Sequence, residues 1–298
     1  MTVRLSTRLP AHLVEKPWGR TQLPPMFGDT GGRRIGEVWF QGPADVPLLA
    51  KYIFTSQMLS IQNHPNDRQA QSRGLKSGKD ECWYVLEAEP GATLGLGLRR
   101  SVAREELRQA ALNGSIVELL DWKPVQAGDF YYVPAGTVHA IGAGIAVLEF
   151  QQNADVTYRI YDFGRPRELH LDEGVSVAIG QPYGDERACR VAPSRSALLV
   201  DGPHFSLAQV VGDDACPAAM IGQRRWVLPI DGSARAVDQV ALPGECLLVE
   251  PFEEVRIEGG RALIGAEGAV NGNARYAEIV PERPAALHHM SEQFASSE

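Results

Sequence analysis

Short apolar runs, each closed by a turn, set the rhythm of this chain. Leu48–Phe54 (LLAKYIF), Leu59–Gln62 (LSIQ), Glu81–Ala88 (ECWYVLEA), Phe130–Val133 (FYYV) and Ile145–Phe150 (IAVLEF) are rich in β-branched and aromatic residues and predict strands. Glu89-Pro90-Gly91 and Pro134-Ala135-Gly136 punctuate them. The period changes over Val102–Leu120, where Leu107, Ala111, Ile116 and Leu119/Leu120 fall at helical spacing around Asn113-Gly114. This predicts two short helices with a solvated charged flank. From about Leu198 the strand-and-turn rhythm resumes, with a Gly244–Pro251 step like one in the first half. The pattern predicts a mainly β chain: one unit over residues 1–190 with a helical insertion at 102–120, a second over 191–280, and a tail over 281–298.

Composition narrows the class. The chain has 298 residues, enough for a sizeable core, with 30 glycines and 20 prolines for tight turns. Its formal net charge of −8 gives no footprint for nucleic acid or an anionic membrane, so an anionic substrate needs a locally basic pocket. No apolar stretch approaches the roughly 18 residues of a membrane span. The first twenty residues lack the apolar core of a secretory signal. Cys82, Cys189, Cys216 and Cys246 are scattered with no CxxC pair, as expected of reduced thiols in a cytoplasmic protein.

The sharpest local signal is Gly128–His139, G-DFYYV-P-A-G-TV-H. Gly128-Asp129 turns the chain into a strand, Pro134 and Gly136 make a sharp turn, and His139 opens the next strand. Upstream, Gln62 and His64 lie two apart at a strand end and share one face, while Asn63 points away. Glu81 opens the strand after the Gly74–Asp80 loop. Two imidazoles, a carboxylate and an amide oxygen make a mixed site suited to Zn²⁺ and tolerant of Mn²⁺, Co²⁺ or Fe²⁺. His204 is the only histidine of the second unit before the tail, so no metal is expected there, and His288-His289 read as tail residues.

The Gly128–His139 string is the second sequence motif of the cupin barrels, but Gln62 and the wide gap from His64 to Glu81 depart from the usual cupin pattern. In order, KPWG (16–19), GEVW (36–39), LSIQNHPND (59–67), KDECWYVLEAEPGA (79–92), GDFYYVPAGTVHAIG (128–142), LEFQQNADVTYRIYDF (148–163) and RELHLDE (167–173) resemble the short bacterial type I mannose-6-phosphate isomerases. The resemblance implies two cupin (jelly-roll-like) β-barrels, the second metal-free. It implies one Zn²⁺ on Gln62, His64, Glu81 and His139, and interconversion of mannose 6-phosphate and fructose 6-phosphate through an enediol(ate). By motif position it makes Arg159 the catalytic arginine, Lys79 a pocket lysine, and Glu149 and Asp155 acidic neighbours of the metal. Asn63 stands where the family usually has an apolar residue.

The chemistry supports those assignments. Isomerisation moves a proton between C1 and C2 while negative charge builds on two oxygens, which a metal and a fixed guanidinium stabilise. Arg159 therefore reads as an electrostatic stabiliser or phosphate clamp, set against a structural ion pair with Asp155 or Asp162. Glu149 is the first candidate for the proton carrier, with Lys79 or a metal-bound water next. Lys51, Lys79 and Arg165 can supply a basic rim for phosphate. Trp18, Trp39 and Trp83 read as core, Trp18 also as a pocket wall, and His170 as structural. The competing readings are a metal-dependent cupin acting on another sugar or sugar phosphate, an Fe²⁺ oxygenase, and a non-catalytic sugar-phosphate-binding cupin. The expected partner is a small sugar phosphate, not nucleic acid or membrane, and either a monomer or a homodimer is compatible with the sequence.

Overall fold

The computed structural model describes residues 6–214 and 216–268. The expected tail, with His288-His289, lies outside them. The first β region holds two antiparallel sheets. One has seven strands in the spatial order Cys189–Arg190, Asp129–Val133, Glu81–Ala88, Ile145–Gln152, Leu48–Phe54, Ile35–Phe40 and Ala11–Arg20. The other has five: Tyr158–Tyr161, Ile61–Asn63, His139–Ile141, Thr93–Leu98 and Leu120–Pro124. A buried cluster that includes Ile53, Trp83, Val85, Leu94, Leu96, Tyr131 and Ile141 draws from both sheets and fills the space between them. Alternation explains the arrangement. Tyr52, Tyr84 and Phe150 point to one face of the seven-stranded sheet, whereas Ile53, Trp83 and Val147 point to the other.

The face that carries Tyr52, Tyr84 and Phe150 is covered too. A further seven-stranded antiparallel sheet, built largely from Ala197–Asp201, Phe205–Val211, Arg225–Ala236, Leu247–Val249 and Val255–Glu267, packs on it. Phe40, Tyr52, Phe54 and Phe150 meet Phe205, Leu207, Trp226 and Leu248 in one continuous core. The strand Thr7–Arg8 belongs to this last sheet, paired with Leu247–Leu248. The start of the chain thus ties the two β regions together.

The helical insertion forms as the spacing predicts. Arg104–Asn113 ends at Gly114, whose φ of 85° closes it in the left-handed conformation, and Ile116–Leu119 follows. Leu107, Ala110, Ala111 and Ile116 cover the outer face of the five-stranded sheet against Ile61, Leu98, Val138 and Ile160. Three α-helices go beyond the sequence expectation, one of them the short Ala218–Ile221 of the second β region. Asp67–Gln71 starts with a reciprocal capping box between Asn66 and Gln69. Leu171–Val177, which begins within the RELHLDE motif, packs on Tyr158–Tyr161.

Candidate metal centre

Three segments bring the candidate ligands together. Ile61–Asn63 carries Gln62 and leads into His64, while His139 opens the adjacent strand directly opposite Gln62. Glu81 comes from the facing seven-stranded sheet, paired with Val133 and Gln151. The sharp turn read from Pro134 and Gly136 is present: Thr137 N–H donates to the Pro134 carbonyl at 3.1 Å, and Gly136 has a φ of 86°. Gly136 N–H also donates to the His64 carbonyl at 2.8 Å, which locks the turn before His139 to the other candidate histidine. Asp80 anchors the turn from beneath, accepting from Ala135 N–H at 2.9 Å and from the Tyr132 hydroxyl at 2.5 Å.

His64, Glu81 and His139 are each about 1% exposed, and their ligand atoms all lie within 4.8 Å of one another. Each imidazole is oriented by a backbone carbonyl. His64 Nδ1 lies 2.8 Å from the Val156 carbonyl and His139 Nδ1 2.9 Å from that of Thr137. Donation through Nδ1–H leaves both Nε2 lone pairs facing Glu81, at 3.4 Å and 3.3 Å from its two oxygens. Burial, the Lys79 ammonium and the neighbouring imidazole hold His64 well below its ordinary pKa, so it stays neutral and able to ligate. Burial opposes the charge of Glu81, but Lys79 and His139 beside it hold its carboxyl down to about 2.

The donor set fits a divalent ion. Lys79 Nζ touches Glu81 Oε2 and lies 3.2 Å from His64 Nε2 and 3.1 Å from Glu149 Oε1, so the acceptors already converge on a cation. Gln62 borders the group and could join it with one adjustment. Its Nε2 lies 3.5 Å from His139 Nε2, while Oε1 accepts from the Ser60 hydroxyl at 3.0 Å. A half-turn of the amide, about a torsion that is broad and roughly two-fold, would bring Oε1 to the side that faces His139. Asn63 points away as expected, its Nδ2 donating to the Gly174 carbonyl at 2.9 Å.

A cavity of about 300 Å³ opens over this centre. Cross-strand register builds its floor as one row: Trp39 beside Lys51, Lys51 beside Glu149, and Glu149 beside Trp83. Lys51 Nζ pairs with Glu149 Oε2 at 3.2 Å and lies 5.4 Å from the centre of the Trp39 ring. Burial and then the nearby Glu81 raise the Glu149 pKa, against Lys51 and Lys79. Burial works against the Lys51 ammonium, yet Glu149, Glu37 and Glu81 raise its pKa. Trp83 Nε1, Gln151 Oε1 and Arg159 Nε are buried polar atoms without hydrogen-bond partners, and all three residues line the cavity.

Trp18, Lys51, Gln62, Lys79, Glu81, Glu149, Asp155 and Arg159 all line this cavity. Arg165 does not. The left-handed pair Phe163 (φ 54°) and Gly164 (φ 76°) turns it back onto Asp162 at 3.0 Å, and its Nη2 donates to the Met58 carbonyl at 2.7 Å. Arg167 takes the wall position instead. Arg159 forms no ion pair with Asp155 or Asp162; its Nη1 donates to the Glu168 carbonyl at 2.6 Å. His170 joins the wall as well as bracing it, with its N–H donating to the Arg159 carbonyl at 2.7 Å. Lys16, Glu37, Trp39 and Gln151 also line the cavity. They sit inside the KPWG, GEVW and LEFQQ strings, which are the signal that could have found them.

Fold and site together define a β-protein with a buried histidine–glutamate–histidine group able to hold a metal ion beneath a polar cavity. No family model matches the chain. It is 42% identical over 169 residues to the mannose-6-phosphate isomerase of Streptococcus mutans, and this match spans about half (53%) of that protein. It is 37% identical over 259 residues to GmuF of Bacillus subtilis, described as a probable mannose-6-phosphate isomerase, covering 78% of this chain and 81% of the relative. Among solved structures, the mannose 6-phosphate isomerase of Bacillus subtilis superposes with a TM-score of 0.74 and 28% identity, covering 89% of this chain and 100% of that one. The chain belongs to the mannose-6-phosphate isomerase family.

Proposed function

We propose that this chain is a metal-dependent aldose–ketose isomerase interconverting mannose 6-phosphate and fructose 6-phosphate, with Zn²⁺ as its ion. One observation carries the reading: the ligand cluster, a buried Lys51–Glu149–Lys79 array and three unsatisfied polar groups all open into one cavity. A divalent ion on His64, Glu81, His139 and the turned Gln62 supplies Lewis-acid stabilisation for negative charge on the sugar oxygens.

The chain's own groups do the rest. The Glu149 carboxylate takes the proton from C2 of the aldose and returns it to C1, a role helped by the raised pKa that burial gives it. Lys79, 3.1 Å from Glu149, passes the hydroxyl proton between O2 and O1, so protons balance across the reaction. Arg159 offers its unpartnered Nε–H edge to the enediolate. Trp83 Nε1–H and Gln151 Oε1 provide a donor and an acceptor for sugar hydroxyls.

We also read residues 1–190 as the catalytic unit and 191–280 as a metal-free second unit, in a cytoplasmic protein. The apolar layer shared by the two β regions and the small share of thiol-bearing residues support that reading. No helix among the described residues is long and apolar enough to cross a membrane.

The test is a coupled assay for fructose 6-phosphate formed from mannose 6-phosphate, run on metal-loaded protein, chelated protein and His139→Ala. Turnover should vanish on chelation, return with Zn²⁺ and be absent in the variant. No turnover from protein carrying stoichiometric metal would rule out the substrate assignment.

A further inference from the structure

The second β region holds a cavity of its own, about 520 Å³, which shares no lining residue with the one over the metal centre. Arg225 lines it and is only 1% exposed. Strand register places this side chain. Arg225 opens the strand Arg225–Ala236, opposite Val249 on one side and Ala266 on the other, and both neighbours belong to the apolar cluster of that region. Cross-strand neighbours share a face, so the guanidinium is set among apolar side chains. Its charge meets no carboxylate among the described residues. Glu250 turns its carboxyl to Arg224, at 3.6 Å, and offers Arg225 only its carbonyl. Nη2 donates to the carbonyls of Glu250 at 3.0 Å and Glu253 at 2.6 Å, while Nε is a buried donor with no partner. Cys216, which also lines the cavity, adds no negative charge: burial raises its thiol pKa, and Arg225 only pulls against that. A buried cation with an unused donor is costly unless something pairs with it, and here it borders open space.

The rim has the opposite sign. Asp213, Asp214, Glu253 and Glu254 line the same cavity, and all but the half-buried Glu253 are exposed. Arg256 satisfies Glu254, at 2.9 Å and 3.1 Å. Asp214 accepts from the Ser196 hydroxyl at 2.6 Å and Glu253 from that of Ser6, bonds that leave both carboxylate charges in place. Ile221 and Phe252 add apolar surface, 37% and 79% exposed. Phe252 is held there at a φ of 66°, in the left-handed region that a bulky residue rarely adopts, with its N–H on the Ile221 carbonyl at 2.7 Å.

This pattern selects a ligand class. One buried guanidinium matches one negative charge, by a charge-assisted hydrogen bond. A phosphate dianion would bring a second charge against the carboxylates of Asp213, Asp214 and Glu253, which instead favour a cation. We propose that the cavity binds a small zwitterion of the amino-acid class, with its carboxylate on Arg225, its ammonium toward the rim carboxylates and an apolar side chain against Ile221 and Phe252. The site stands apart from the metal centre and does not depend on the isomerase reading.

The experiment titrates L-leucine into metal-loaded protein by calorimetry, beside isocaproate, which lacks the ammonium, isopentylamine, which lacks the carboxylate, and inorganic phosphate. L-Leucine should bind, and each of the other three at least about tenfold more weakly. Asp213→Asn should weaken L-leucine about threefold or more and leave isocaproate within about twofold, because only the ammonium meets the rim. Arg235→Met, outside the cavity, should change neither. Arg225→Met should abolish binding of L-leucine. That side chain is buried and its loss can unfold the protein, so a second readout uses the wild type: saturating L-leucine should slow alkylation of Cys216 by iodoacetamide about fivefold or more. Absence of L-leucine binding at concentrations on the order of 10 mM overturns the site. So does phosphate that binds more tightly than L-leucine, binding that persists in folded Arg225→Met, or a Cys216 alkylation rate that L-leucine leaves unchanged.

Discussion

Arg159 lies directly opposite Gln62 in the antiparallel register, and Gln62 lies opposite His139 on its other side. Neighbouring strands are about 4.8 Å apart. Sheet register alone therefore sets a guanidinium beside Gln62 and two strands from His139, with no loop to position it. Such placement costs little reorganisation during reaction, which is where fixed dipoles and charges act best.

Arg159→Lys tests that placement. The ammonium keeps the charge but loses the planar edge and its reach, so kcat should fall on the order of 10²–10³-fold, the usual loss for a fixed oxyanion donor. Metal content by atomic absorption should stay at the wild-type level, because Arg159 is not a ligand.

Glu149→Gln removes the proposed proton carrier while keeping its shape. The expected loss in kcat is about 10²–10⁴-fold, the range for general acid–base groups. Exchange of the C2 proton of mannose 6-phosphate with D₂O, followed by NMR, should be lost in parallel. Continued exchange in the variant would move the role to Lys79.

Much of this was legible because the chemistry sits on regular strands. Gln62 and His64 two apart, the Gly128–His139 string and the position of Glu81 point to residues that the structure brings together, since strand alternation converts spacing directly into direction. The insertion at 102–120 was equally plain from its helical period. The arginine wall was not. Arg165 and Arg167 lie two apart in an irregular segment, where the left-handed backbone of Phe163 and Gly164 breaks any alternation. Nothing in the spacing says which of them faces the cavity. The pairing of Lys16 with Glu37 joins residues from two strands whose register slips twice, so it too is hidden from local pattern.

Ser60 should matter to the ion without touching it. Its hydroxyl lies 3.0 Å from the Gln62 amide, and once Oε1 turns to the ion, Nε2–H has Ser60 Oγ as its acceptor. Ser60→Ala removes that hold. Outer partners of metal ligands typically contribute 10–100-fold in affinity, so Zn²⁺ should bind about tenfold or more weakly in competition with a chromophoric chelator. An unchanged affinity would mean that Gln62 orients itself by other contacts.

The thiols give a pH prediction. Cys82, Cys189 and Cys246 are buried and free, and burial raises all three pKa values, with Asp129 adding to the effect on Cys189, which reaches about 11. The thiolate is the nucleophile, so a raised pKa means less of it at any pH below that value. Native protein at pH 8 should take up a mass-tagging alkylator at these positions at least tenfold more slowly than unfolded protein. Labelling of Cys189 should rise about tenfold per pH unit toward 11 for as long as the fold persists.

Gly265 tests whether the second β region supports the catalytic floor. It lies opposite Leu207 and Trp226 in its own sheet, and a Cβ there would run into the buried ring of Phe150. Phe150 packs edge-on to Phe205 at 5.3 Å and to Trp226 at 6.0 Å, so the ring has little room to yield. It also stands between Glu149 and Gln151, whose side chains point to the opposite face of the strand and line the cavity. Gly265→Ala should therefore destabilise the protein by about 1–3 kcal/mol in urea unfolding, the range for overpacking a tight core. Because the strain enters through the strand that carries Glu149, kcat should drop as well, with metal content unchanged. Adding Phe150→Leu to Gly265→Ala should return part of both losses, which two independent sites would not do. A loss of stability with kcat untouched would show that the second region props the fold without reaching the floor of the site.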